Sequence, residues 1–163
     1  MKPLVIYHAN CWDGFCAAWV ARKQMGEIEA VPAHYGTPPP DVAKRAVYVL
    51  DFSYPRETLL KMLGDASSLV VLDHHKTAKA ELERVRGCQF ADDKSGGRMT
   101  WEYFFGKAPT PWLVDYTEDR DLWRHQLKDS EAINAALRSY PLNFALWDQF
   151  AKQDPASFVG EGY

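Results

Sequence analysis

The chain has 163 residues, 47% of them apolar and 25% charged, with a formal net charge of −3. That length supports one domain with a real core, or one domain with a helical appendage. The charge excludes a broad basic field that would hold long nucleic acid by charge alone. A small phosphorylated substrate or a local basic patch remains compatible with it.

Cys11, Cys16 and Cys88 form no CxxC pair and are odd in number. This favours a reducing cytoplasm over a disulfide framework. Leu4–Tyr7 is too short for the core of a signal peptide, and no apolar run approaches a membrane span. The expected setting is therefore cytoplasmic, with no membrane partner.

In chain order, Leu4–Tyr7 reads as a buried strand running into His8-Ala-Asn-Cys-Trp-Asp13-Gly14. Phe15–Gln24 reads as an Ala-rich helix stopped near Gly26. His8 and Asp13 then lie at a strand end and a helix start, where free N–H groups and the helix dipole favour an anion. Asp13 is also a fitting N-cap for that helix. Ile28–Val31 is the expected second strand, and three consecutive prolines from Pro38 exclude helix in the loop after it. Ala46–Leu50 is a strong strand ending in Asp51, followed by a helix over Pro55–Leu63 that Gly64 should stop. Ser68–Leu72 is a further strand, ending in Asp73-His74-His75. A short helix over Ala78–Arg84 and a short strand over Gly87–Phe90 follow.

From Asp92 the texture changes. Lys94–Arg98 reads as a glycine-rich turn able to cradle a phosphate, feeding a helix over Met99–Phe105. Helices are expected over Pro111–Trp123, Glu131–Ser139 and Phe144–Lys152. Asp115, Glu118, Asp119 and Asp121 cannot share one helix face, and the plain reading of that segment is a solvated acidic-basic surface. The whole chain, 1–163, is read as one domain, with a parallel α/β core over about 1–92 and a mostly helical part over about 95–163.

Three apolar strands thus end in the same way, at His8, at Asp51 and at Asp73-His74-His75. Right-handed crossovers would set them in one parallel sheet with their carboxyl ends along one edge, where ligands bind in open α/β folds. Carboxylates crowded there repel one another, and a divalent cation removes that problem. Mixed Asp and His donors suit manganese, iron or zinc better than calcium.

The blocks His8–Phe15, Asp51-Phe-Ser53, Asp73-His-His75 and Asp119–Trp123 resemble, in order, the four motifs of the DHH phosphoesterases. The opening block, with Ser95–Arg98, Trp101–Phe104 and Leu137–Pro141, is most similar to the nanoRNase-like branch that degrades short oligonucleotides. The resemblance implies a doubly wound parallel α/β fold and a two-manganese site. Magnesium or cobalt could substitute. It implies His8, Asp13 and Asp51 around one metal and Asp51, His74 and Asp119 around the other, with Asp51 bridging. Asp73 would orient His74, and His75 would contact the scissile phosphate. Asn10, Arg98, Arg120 and Arg124 are the candidate substrate contacts, with Arg138 a further member of the basic set.

The resemblance is incomplete in three places. The opening motif of many relatives has a carboxylate, one residue and another carboxylate, whereas here Phe15 follows Asp13 by two positions and Cys11 precedes it by two, so one expected ligand is missing and the second metal is expected to bind weakly or only with substrate. Asp121 competes with Asp119, which the spacing to Trp123 favours. The chain shows no match to the glycine-rich motif of the relatives' second, substrate-gripping domain, so an open metal edge is expected, with a homodimer as a possible substitute wall. The implied substrate is a short oligonucleotide, a nucleotide bisphosphate or a cyclic dinucleotide. The competing readings are a nucleotide- or metal-binding module with little turnover, and a pyrophosphatase-like hydrolase.

Overall fold

Five short strands, the central three rich in Val, Leu and Ile, pair as one all-parallel sheet in the computed structural model, which describes residues 1–161. Strands alternate with helices through the first half, except that β3 follows β2 directly: β1 (Leu4–His8), α1 (Trp12–Met25), β2 (Glu29–Ala33), β3 (Ala46–Leu50), α2 (Arg56–Asp65), β4 (Ser68–Asp73), α3 (Lys79–Leu82) and β5 (Cys88–Phe90). Four helices follow: α4 (Gly96–Phe105), α5 (Trp112–Asp121), α6 (Ser130–Arg138) and α7 (Phe144–Ala151). Among the described residues, no helix is long and apolar enough to cross a membrane.

The strand order is β2-β1-β3-β4-β5. The connection from β1 leads outward to β2, while β3 begins on the other side of β1, so the order reverses between β1 and β3. Register then decides what meets at the carboxyl edge. Tyr7 is level with Leu50, and Leu50 with Leu72. The residues that follow, His8, Asp51 and Asp73, therefore leave three neighbouring strands at one height.

Side chains alternate across the sheet, as the two-residue period of a strand requires. Leu4, Ile6, Val47, Val49, Leu69 and Val71 pack with Leu59 and Met62 of α2 and Leu82 of α3. Val5, Leu50 and Leu72 face the opposite way, against Ala17, Ala18 and Ala21 of α1 and Met99 of α4. Helices thus cover both faces, which is why these strands read as continuous apolar runs.

Helix α1 lies between the sheet and the helical half. Residues Asp13–Ala21 are all buried, so the helix lacks the polar stripe of a surface helix. Its alanine side meets the sheet. Its Phe15, Cys16, Trp19 and Val20 pack against Leu113, Ile133 and Trp147. Phe15 stacks on Phe144 with ring centroids 4.7 Å apart, and Trp19 donates to Asp148 at 2.8 Å.

The expected elements differ from the observed ones mostly at their ends. β2 runs two residues past Val31, because its Ala33 still pairs with His8 of β1. α2 continues through Gly64 to Asp65, so that glycine is no stop signal. α4 starts at Gly96 rather than Met99, capped by the Ser95 hydroxyl, which accepts from the Arg98 N–H at 3.1 Å. Trp147 is fully buried, whereas Trp123 is 71% exposed.

Candidate metal centre

Asp51 follows β3 in the left-handed backbone region, with φ of 56°. Few residues other than glycine adopt that conformation, Asp and Asn among them. It directs a fully buried carboxylate along the sheet edge, and the Asp51 N–H stays tied to the Leu72 carbonyl at 2.9 Å. Asn10, also left-handed at φ 54°, turns the chain between β1 and α1.

The donors fall into two groups of three. His8, Asp51 and His75 bring one ligand atom each within 4.8 Å of one another, and so do Asp13, His74 and Asp121. Asp51 connects the groups: its Oδ1 lies 2.8 Å from His74 Nε2, and its Oδ2 lies 3.8 Å from His8 Nδ1. His74 Nε2 also lies 3.2 Å from Asp13 Oδ2 and 3.5 Å from Asp121 Oδ2. Despite these distances, His8 Nδ1, Asp51 Oδ1 and His74 Nε2 are buried with no aligned hydrogen-bond partner. Buried polar atoms are rarely left in that state. Converging nitrogen and carboxylate donors of this kind fit a borderline divalent cation, which would satisfy them together.

The electrostatics agree with that fit. Burial raises the pKa of Asp13, and the adjacent Asp51 adds to the rise. Burial likewise pushes Asp121 up to about 7, helped by Asp13. Burial opposes charge on His74, yet the carboxylates of Asp13 and Asp51 outweigh it and push its pKa up to about 11. Burial also works against ionised Asp51, but His74 and His8 hold it below the usual carboxylate range. The proton of His74 thus stands where a metal charge would stand.

Asp13 does not cap its own helix. Its Oδ2 accepts from the Gly96 N–H at 2.7 Å and its Oδ1 from the Gly97 N–H at 2.9 Å, so it caps α4 from across the fold. The expected phosphate cradle at these glycines is therefore filled by a side chain of the protein. Only glycine permits the approach: a Cβ on Gly96 would stand 2.6 Å from Asp51 Cβ.

Several contacts differ from those the expected roles would need. Asp73 does not orient the His74 ring. Its Oδ1 lies 2.6 Å from His75 Nδ1 and accepts the His74 and His75 backbone N–H groups at 2.8 and 3.3 Å. That contact raises the pKa of His75 and leaves Nε2 as its other ring nitrogen. Asp13 groups with His74 and Asp121 rather than with His8 and Asp51, and His75 joins His8 and Asp51.

Asp119 is not among the converging donors. It accepts from the Gln126 and Leu127 N–H groups at 3.0 and 3.2 Å, tying down the turn after α5. Asp121 is the α5 carboxylate that converges with Asp13 and His74. Two residues apart on a helix, the two side chains point in nearly opposite directions.

Among the basic candidates, Arg98 is used structurally. It contacts Asp115 at 2.5 Å and Glu118 at 3.2 Å, joining α4 to α5. Arg124 contacts Glu118 at 3.5 Å and donates to the Asp93 carbonyl. The α5 segment is accordingly no solvated face, since Glu118 and Asp119 are both buried. Arg120 does reach the site. It lines a cleft of about 310 Å³ with His8, Asn10, Asp13, Asp121 and Arg138. This cleft lies between the loop after β1 and helices α5 and α6.

Cys11, singled out beside Asp13 in the sequence, stands at the site, and one other feature, Tyr35, escaped the sequence. Cys11 Sγ lies 3.5 Å from Asp51 Oδ2. Tyr35, 55% exposed, stacks on Phe52 at 4.5 Å and stands 5.4 Å from the His8 ring. An aromatic just before a proline-rich loop carries no local sign of proximity to a site.

No protein-family model matches the chain. An uncharacterized protein of Acanthamoeba polyphaga mimivirus is 28% identical over 169 aligned positions, covering 92% of this chain. The chain spans 40% of that relative's length. An uncharacterized protein from Helicobacter pylori superimposes with a TM-score of 0.70 at 15% identity, over 99% of this chain and 61% of the other. The pGpG-specific phosphodiesterase PggH from Vibrio cholerae superimposes with a TM-score of 0.52 at 16% identity, over 99% of this chain and 57% of that one. At such identities the likeness is one of fold.

Proposed function

We propose that this chain is a metal-dependent phosphoesterase of the DHH type, similar to the nanoRNase-like branch. It hydrolyses phosphate esters of short oligonucleotides or nucleotides with two divalent cations, manganese foremost. The observation that carries this reading is the pair of three-donor groups with Asp51 reaching toward both. The fold it shares with a phosphodiesterase supports the same reading.

His8, Asp51 and His75 would hold one cation, and Asp13, His74 and Asp121 the other. Such a pair supplies a lowered pKa for water and charge neutralisation at phosphate oxygens. The protein's own groups do the positioning. Asp73 fixes the ring of His75. The α4 N-terminus holds Asp13 through two N–H groups, aided by the helix dipole. Arg120 and Asn10 face the cleft where the substrate would lie. Tyr35 offers an exposed ring beside His8 on which a base could stack.

The test is a hydrolysis screen of dinucleotides, nucleotide bisphosphates, cyclic dinucleotides and pyrophosphate, with manganese or magnesium. Turnover of a nucleotide substrate is expected, faster with manganese, because three imidazoles among the donors suit a borderline metal better than magnesium. Manganese bound by calorimetry without turnover of any substrate would replace this reading with that of a binding module. Turnover of pyrophosphate alone would make it a pyrophosphatase.

A further inference from the structure

The two donor groups are not alike. His8, Asp51 and His75 offer two imidazoles and one carboxylate, whereas Asp13, His74 and Asp121 offer one imidazole and two carboxylates. Imidazole and thiolate suit the softer divalent metals, and carboxylates suit manganese and magnesium. One further side chain, Cys11, widens the difference. It stands at the N-cap of α1, just after the left-handed turn at Asn10, yet its side chain makes no capping hydrogen bond. The thiol instead donates to Asp51 Oδ2 at 3.5 Å and lines the cleft with His8 and Asp13. The other two cysteines lie elsewhere: Cys16 is buried in the packing of α1 against the helical half, and Cys88 belongs to β5.

The distances suit a cation shared by these atoms. A sulfur and an oxygen on one tetrahedral zinc ion stand about 3.6 Å apart, from bonds of about 2.3 and 2.1 Å. Cys11 Sγ and Asp51 Oδ2 are 3.5 Å apart. A nitrogen and an oxygen on such an ion stand about 3.4 Å apart, and the same Oδ2 lies 3.8 Å from His8 Nδ1. Two observations independent of the thiol also point to a ligand here. His8 Nδ1 is buried without an aligned partner, and so is Oδ1 of the fully buried Asp51. His75 is braced through Nδ1 by Asp73 at 2.6 Å, the kind of carboxylate contact that orients a zinc-binding imidazole.

We infer that His8, Asp51 and His75, joined from the Asp51 side by the sulfur of Cys11, form a site for a thiophilic divalent metal such as zinc or cobalt(II), while Asp13, His74 and Asp121 take manganese. The centre is then a mixed-metal one. Binding to sulfur forms a metal–thiolate bond and releases the thiol proton to solvent. Manganese alone can fill both groups. Cobalt and zinc stand above it in affinity for nitrogen and sulfur donors, so they displace it from the first group before the second. This deepens the two-metal reading proposed above and rests on it for its place in catalysis, but sulfur ligation can be tested apart from hydrolysis.

The probe is cobalt(II), titrated into the metal-free chain with and without excess manganese. A near-ultraviolet sulfur-to-cobalt charge-transfer band should appear and reach its endpoint at one cobalt per chain, with manganese present as well as without it. Cys11→Ser should abolish the band and weaken cobalt binding by about tenfold or more, the scale on which even the outer partners of metal ligands act. Cys88→Ser should keep both the band and the endpoint. A parent chain that binds cobalt without the band overturns the sulfur site, whatever the variants do. So does a band that survives in Cys11→Ser, or one that excess manganese abolishes. Turnover separates the two proposals. The band without hydrolysis of any nucleotide leaves the sulfur site standing and removes the hydrolytic reading. Manganese-dependent hydrolysis by a chain that shows no band does the reverse.

Discussion

His8, Asp51 and His74-His75 leave the ends of three strands at one level of the sheet, whereas Asp121, Arg120 and Arg138 reach the same cleft from helices α5 and α6. The strand-end donors are placed by register: once Tyr7, Leu50 and Leu72 align, the residues after them cannot be far apart. The helical donors are placed by rotation of a helix about its axis, where one residue changes direction by about 100°. The sheet edge therefore assembles a general centre. The helical half decides how that centre is completed and what it faces.

The sharpest test of the sheet edge is Asp51. Asn keeps the shape of the side chain and removes the charge that both donor groups share. Asp51→Asn should lower manganese-dependent turnover by about a thousandfold or more, roughly 4 kcal/mol of transition-state stabilisation. Bound manganese should fall, with the far-UV circular dichroism unchanged. Parent-like turnover with full metal content would show that the edge does not depend on this residue.

A smaller effect separates two carboxylates of one helix. Outer partners of metal ligands are worth about 10–100-fold in affinity, so loss of a ligand should cost about a hundredfold. Asp121→Asn should weaken manganese binding on that scale and leave thermal stability near the parent. Asp119→Ala should do the opposite. It leaves the Gln126 and Leu127 N–H groups without their acceptor, at a cost of about 1–3 kcal/mol, while metal affinity stays within about threefold. Calorimetry and thermal melts of both variants decide the matter, and the reverse pattern would restore Asp119 as the ligand.

The pH dependence is the mildest test. In the metal-free protein Asp121 holds its proton up to about 7 instead of 3.8, and His74 up to about 11 instead of 6.5. The folded chain then binds more protons than the unfolded chain from about pH 4 upward, so these groups make metal-free stability fall as pH rises. Asp51 acts in the opposite sense, but only in acid, below the usual carboxylate range. Metal and proton compete for the same atoms. Apparent manganese affinity should rise by about tenfold per pH unit for each proton displaced. The thermal shift caused by manganese should therefore be larger at pH 8 than at pH 6. A shift independent of pH would mean that these groups are not the ligands.

The same contrast explains what could be read from the sequence. The strands were legible because both faces are covered, which makes their apolar runs continuous, and their polar ends stood out. The grouping of the donors was not. Which carboxylate of Asp119 and Asp121 turns inward depends on how α5 is seated by Arg98, Asp115 and Glu118. The partner of Asp73 depends on a turn of only two residues. The role of Gly96 and Gly97 is set by Asp13, more than eighty residues away in the chain, so nothing local to the glycines could reveal it.

That distance has a kinetic consequence. Asp13 and the α4 N-terminus are joined by hydrogen bonds across a sequence separation of 83 and 84 residues, one of the long loops that folding must close. The strands can pair before that closure, but the candidate donor Asp13 is not held by its two N–H groups until α4 has docked on α1. A cation that binds only the docked state would act after the rate-limiting encounter. Manganese should then slow unfolding in proportion to its concentration while leaving the refolding rate almost unchanged, so the metal would serve the fold as a latch on a closed chain rather than as a seed for closing it.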